Sequence, residues 1–158
     1  MKHLVHKTIL VAGMAWMMAA MPMASHAAET VDQSAIRKTM MSTWDTPDSR
    51  LEAGPIVVMA DRAIAGWTQG ERGGRALLTR NAQGQWHVSA CAGDGLRDAK
   101  TLEMTGMSAS AARELARQLA QAESSIDPRR RALFSTFDGM VRMGPSDHHA
   151  PSGHDARH

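Results

Sequence analysis

Between Pro55 and Leu96 the chain reads PIVVMADRAIAGWTQGERGGRALLTRNAQGQWHVSACAGDGL. This stretch restricts the fold more than any other. Ile56–Ala60, Ala63–Gln69, Arg75–Arg80 and Trp86–Cys91 are short apolar runs of strand length and strand content. The breaks between them are Asp61-Arg62, Gly70-Glu71-Arg72-Gly73-Gly74 and Asn81-Ala82-Gln83-Gly84-Gln85. Connections this short join only antiparallel neighbours, because a parallel crossover takes a dozen residues or more. The pattern predicts a four-stranded up-and-down antiparallel meander at the centre of one small domain.

Helical periodicity flanks the meander. Asp32 is placed to cap a helix running to Trp44, with Ile36, Met40, Thr43 and Trp44 on one face. Asp45-Thr46-Pro47 ends it, since the residue before a proline is pushed out of helical geometry. Downstream, Asp98–Thr105 reads as a short helix stopped by Gly106. Ser108 then caps a longer one to Ser124, with Ala112, Leu115, Ala116, Leu119 and Ala122 facing inward. Asp127-Pro128 opens a third helix carrying Leu133, Phe134 and Phe137 toward Gly139. The fold class is therefore α+β: an N-terminal helix packed on a four-stranded antiparallel meander, then two or three C-terminal helices. By analogy alone, its first half is cystatin-like or nuclear-transport-factor-like in outline. The expected organisation is a signal peptide over 1–27, one α+β domain over 28–143, and a disordered His-rich tail over 144–158.

The two ends carry most of the functional information. Lys2 and Lys7, an apolar segment from Ile9 to Ala24 and the small residues of Ser25-His26-Ala27 form a secretory signal. Removing 27 of the 158 residues leaves 131, enough to bury a sizeable core without staples. Cleavage also removes two of the 18 basic residues and none of the 16 acidic ones. The pI of about 9.1 thus belongs to the precursor, and the neutral mature domain has no electrostatic pull toward nucleic acid. No second segment resembles a membrane span. Cys91 is the only cysteine, so no internal disulfide forms, and burial is the simplest account of its thiol.

After Met143 the sequence is GPSDHHAPSGHDARH, with almost no apolar content. Such a segment buries too little surface to offset its ordering entropy, so a flexible tail is expected. It holds His148, His149, His154 and His158, whereas His87 is the sole histidine of the folded body. Neutral imidazole is a borderline ligand suited to copper, zinc and nickel. Met140 and Met143 add thioether sulfur, a soft donor for Cu(I). On a helix this i, i+3 pair shares one face, whereas on a strand it divides between two. Met40, Met41, Met59, Met104 and Met107 are scattered and read as packing.

Other arrangements give weaker signals. The Gly70–Gly74 turn is followed by neither Gly-Lys-Ser/Thr nor a helix, so it is a hairpin rather than a phosphate loop. Simple alternation sends Trp86, Val88 and Ala90 one way and His87, Ser89 and Cys91 the other. His87 and Cys91 then lie about 13 Å apart along the strand, too far to share an ion. Arg129-Arg130-Arg131 lies close to Asp127 and Asp138 and reads as a solvated face. Glu71, Asp94 and Asp98 sit near turns, and no Ser/His/Asp or Cys/His arrangement is recognisable, so the chain reads as non-enzymatic. Trp67 is the one aromatic that suggests an alternative, a protein-interaction module.

The run AIAGWTQGERGGRALL, followed by WHVSACAGDGL, resembles the small exported proteins of the copper uptake system-associated family. The likeness extends to MxxTWDxP before this block and to ALFSTFDGMVRM after it, covering nearly the whole mature chain. It implies a periplasmic accessory protein whose ligand is copper and whose partners are other periplasmic or outer-membrane copper-import components. No ligand residue is carried over from the family.

Overall fold

The computed structural model describes residues 28–144. The expected signal peptide, and the tail from residue 145 onward, lie outside the described residues. The first helix, α1 (Val31–Trp44), opens with a capping box. Gln33 N donates to Thr30 Oγ1 at 3.2 Å, and Thr30 N donates back to Gln33 Oε1 at 2.9 Å. The cap is therefore Thr30 rather than Asp32. Asp32 sits in the first turn, its carboxylate taken by Arg80 Nη2 at 2.6 Å and Trp86 Nε1 at 3.2 Å. Asp45 adopts an extended conformation and ends the helix two residues before Pro47.

Five strands follow one another across a single sheet in the order β1-β2-β3-β4-β5, all antiparallel. They are β1 (Leu51–Met59), β2 (Arg62–Gln69), β3 (Arg72–Arg80), β4 (Trp86–Ala92) and β5 (Met140–Arg142). The expected meander is thus present, with a fifth strand beyond it. β1 begins five residues before the predicted start. An irregularity between Ala53 and Ile56 places both residues in the same core layer despite their odd spacing. Pro55 at that point fits an edge strand, where its missing N–H breaks no ladder bond. Side chains also occupy the edge: Arg37 Nη1 donates to Ala53 O, Gln33 Nε2 to Ile56 O at 2.8 Å, and Arg130 Nη2 to Gly54 O at 2.8 Å. These contacts protect a row of carbonyls that would otherwise invite strand addition.

The chain reverses between β2 and β3 at Gly70-Glu71 alone, and Gly73 and Gly74 belong to β3. Gly73 is required by packing. A Cβ there would stand 2.7 Å from Trp67 O and 2.9 Å from Leu133 O. Asp98 caps α2 (Ala99–Glu103), which follows a 3-10 turn at Asp94–Arg97. Ser108 caps α3 (Ala109–Ser124) by accepting from Ala111 N at 3.2 Å. Asp127 caps α4 (Pro128–Leu133), with proline at the first helical position.

The last helix is shorter than the sequence predicts. Phe134 caps it instead of extending it. Just beyond, Gly73 N donates to Thr136 Oγ1 at 2.9 Å, and the same hydroxyl donates back toward Gly73 O at 3.2 Å. This pairing ties the chain to β3, and Gly139, at φ 70°, then turns it into β5. Phe134 and Phe137 consequently separate. Phe134 lies beneath the Arg75 and Arg130 guanidiniums, while Phe137 meets the Trp67 ring edge-on at 5.9 Å.

Helices cover both faces of the sheet. On one face Ile36 and Met40 of α1 pack against Ala65, Leu78, Trp86 and Val88. On the other, Leu102 of α2 and Ala112, Leu115 and Leu119 of α3 pack against Val57, Ile64, Leu77 and Ala90. Filling both faces with aliphatic side chains supplies the main drive to fold, roughly 1.5–3 kcal/mol per large side chain buried. Among the described residues, no helix is long and apolar enough to cross a membrane.

Candidate functional site

β5 decides how the two candidate methionines are arranged. Met140 pairs with Ala92 and packs in the layer beneath α3. Met143 continues the same extended path, its N–H donating to Ser89 O at 2.9 Å, and packs in the layer beneath α1. The helical alternative, with both thioethers on one face, does not form. Met140 and Met143 lie on opposite faces of the sheet, so neither brings the other to a common ion.

His87 and Cys91 do not converge either, for a reason that simple alternation misses. Leu77 pairs with Ala90 and Leu78 with Val88, which leaves Ser89 as an extra residue in β4. This bulge resets the pleat. Cys91 joins Trp86 and Val88 in the α1 layer, while Ala90 joins Ala92 in the α3 layer. The alternation expected from the sequence holds up to Ser89 and reverses beyond it. Cys91 is 5 % exposed, and burial pushes its thiol up to about 12. At neutral pH it is a protonated, unreactive side chain.

Cys91 lines a cavity of about 30 Å³ together with Met40, Trp44, Leu51, Trp67 and Gln69. The Trp44 Nε1–H in this wall is buried without a hydrogen-bond partner among the described residues. The space is about the size of a single water. Trp67 belongs to this wall and to the Phe137 contact, so it is a packing residue and not an open docking anchor.

The His148, His149, His154 and His158 imidazoles lie outside the described residues. Among the described residues, no three His, Cys, Asp or Glu side chains gather into a group able to hold a metal ion. Met143 lies against β4 at Ser89, and His87 is half-buried two residues further along that strand. His87 also borders a groove between α1 and the β3–β4 turn, alongside Lys38, Thr39, Gln85 and Trp86.

One polar cluster had no signal in the sequence. Arg75, 1 % exposed, donates from Nε to Glu123 Oε1 at 2.6 Å and from Nη2 to Glu123 Oε2 at 2.9 Å. Its Nη1 reaches Gly93 O at 3.1 Å and Phe134 O at 3.3 Å. The same Nη1 also meets Asp94 Oδ1 at 3.3 Å, so Arg75 joins β3 to α3, to the 3-10 turn after β4 and to the end of α4, as a structural clamp. A strand arginine and a helix glutamate 48 positions apart offer no local pattern that would pair them.

The fold and these sites define a small α+β domain built on an antiparallel meander with helices on both faces. Comparison with protein-family models, with curated proteins and with solved structures finds no match for this chain.

Proposed function

We propose that the protein is a periplasmic, non-enzymatic accessory of copper uptake that binds copper through its C-terminal histidines and hands it on. The observation that carries this reading is the placement of His148, His149, His154 and His158 within eleven residues, directly after a folded body with one histidine of its own. The signal-like N-terminus and the resemblance to the copper uptake system-associated family support the same reading. Imidazole nitrogens suit Cu(II), and Met143 or Met140 is available to a Cu(I) ion as a softer donor, one at a time. A segment that must be ordered around its ion loses conformational entropy, so modest affinity is expected, which favours transfer over storage. Imidazole binds metal only when neutral. Affinity should therefore fall as pH drops through the unperturbed histidine value of about 6.5.

Copper titration of residues 28–158 beside a chain ending at Gly144 tests the proposal. The longer chain should take up Cu(II), and the shorter one should not. Equal uptake by both would reject the tail as the site.

A further inference from the structure

We propose that Arg97 and Arg131 form a binding site for a phosphate-type oxyanion, in a groove beside the buried Arg75–Glu123 pair. The site is independent of copper binding and uses only residues of the folded body.

The basic run Arg129-Arg130-Arg131 divides in the structure instead of forming one face. Arg130 serves the fold: its Nη2 donates to Gly54 O at 2.8 Å, its Nε meets Glu52 Oε1 at 3.1 Å, and its guanidinium covers the Phe134 ring. Arg129 is exposed. Arg131 lines a groove of about 430 Å³ together with Arg75, Arg97, Glu123 and the small residues Ala120 and Ala132. That volume falls within the usual range of small-molecule sites.

Three guanidiniums thus converge on Glu123. Arg75 takes both of its carboxylate oxygens, at 2.6 and 2.9 Å. Arg97 Nε stands 3.7 Å from Glu123 Oε2, and Arg131 Nη1 stands 3.4 Å from Glu123 O. Arg97 makes no hydrogen bond among the described residues, and its other carboxylate neighbour, Asp94, is 3.8 Å away. The buried carboxylate is matched without either of the outer arginines, so both keep donors for another acceptor. Arg75, Arg97 and Arg131 set against Glu123 and Asp94 leave positive charge in excess. Asp127, at the start of α4, accepts from Arg129 N and Arg130 N as the helix cap.

A groove with excess positive charge concentrates anions. Guanidinium offers a planar fork of donors that fits phosphate oxygens, and two forks hold different oxygens of one tetrahedral ion. Arg97 ends the 3-10 turn after β4, and Arg131 lies in α4. A bound oxyanion therefore bridges two elements that α2 and α3 separate in the chain. Binding only to the folded state, it stabilises that state by mass action.

The test titrates copper-free residues 28–158 with inorganic phosphate at constant ionic strength, with chloride as control. Nuclear magnetic resonance follows the backbone amides and the arginine Nε–H groups. Phosphate should give saturable shifts at Arg97 and Arg131 and raise the melting temperature, and chloride should do neither. Arg97→Gln and Arg131→Gln should each fold normally by circular dichroism and weaken phosphate binding at least about tenfold, as expected for loss of a charge-assisted hydrogen bond. Arg129→Gln, exposed in the same run but outside the groove, should leave binding unchanged. Shifts that never saturate, equal shifts in chloride, or an equal loss from all three variants would overturn the site. Because copper is absent throughout, none of these results bears on the copper-binding function.

Discussion

Arg75 shows why single residues matter in a domain this size. A guanidinium taken out of water is tolerated only when its charge and its donors are matched, and buried Glu123, two backbone carbonyls and the more exposed Asp94 carboxylate do this. Removing one partner leaves the other charged and buried. Glu123→Ala should therefore cost about 3–5 kcal/mol in urea unfolding, whereas Arg75→Met combined with Glu123→Leu should cost far less. Equal losses from the single and the double variant would contradict the clamp. Cys91 supplies a second residue-scale prediction. Its folded value of about 12 lies above the ordinary 9.0, so the folded state favours the protonated thiol. The stability it contributes is complete below about pH 9 and lost as pH rises toward 12. The stability difference between wild type and Cys91→Ala, followed by denaturant unfolding, should therefore shift against the wild type as pH climbs through that window. Native Cys91 should also resist alkylation at pH 8 and react once the chain is unfolded.

At the scale of elements, Gly73 marks where β3 meets the crossing segment after α4. Gly73→Ala forces a Cβ against the Trp67 and Leu133 carbonyls, backbone atoms that cannot swing aside. A loss of about 1–3 kcal/mol is expected in thermal or urea unfolding, typical of overpacking. No loss would mean that α4 does not close on the sheet as described. The turns around this glycine also show which parts of the fold the sequence reveals. The meander was legible because its apolar runs and turn residues recur over short distances. The cap at Thr30 has a sequence signal too: Thr30 and Gln33 have the three-residue spacing of a capping box, although Asp32 two residues on is an equally good capping residue by type. The bulge at Ser89 was not, because an extra residue leaves composition unchanged and shows only when β4 is aligned against β3. Nor was β5, a three-residue strand whose partner lies some fifty positions upstream. The helix-or-strand choice at Met140 and Met143 depended on that distant pairing, so local periodicity had no means of making it.

For the whole molecule, the central contrast is between a body with apolar layers on both sheet faces and four histidines beyond its last strand. The described residues contain a core that needs no ion to form, so folding and metal binding should separate. Melting curves with and without chelator should nearly coincide, and a large loss on chelation would reveal a structural site within the body. Composition made the His-rich segment legible in the sequence. The account is tested most directly by the metal content of residues 28–158 purified after growth with copper, measured beside a variant carrying His148→Ala, His149→Ala, His154→Ala and His158→Ala. Copper should accompany the wild type and be absent from the variant, with both equally folded. Equal copper in the two, or none in the wild type, would contradict it.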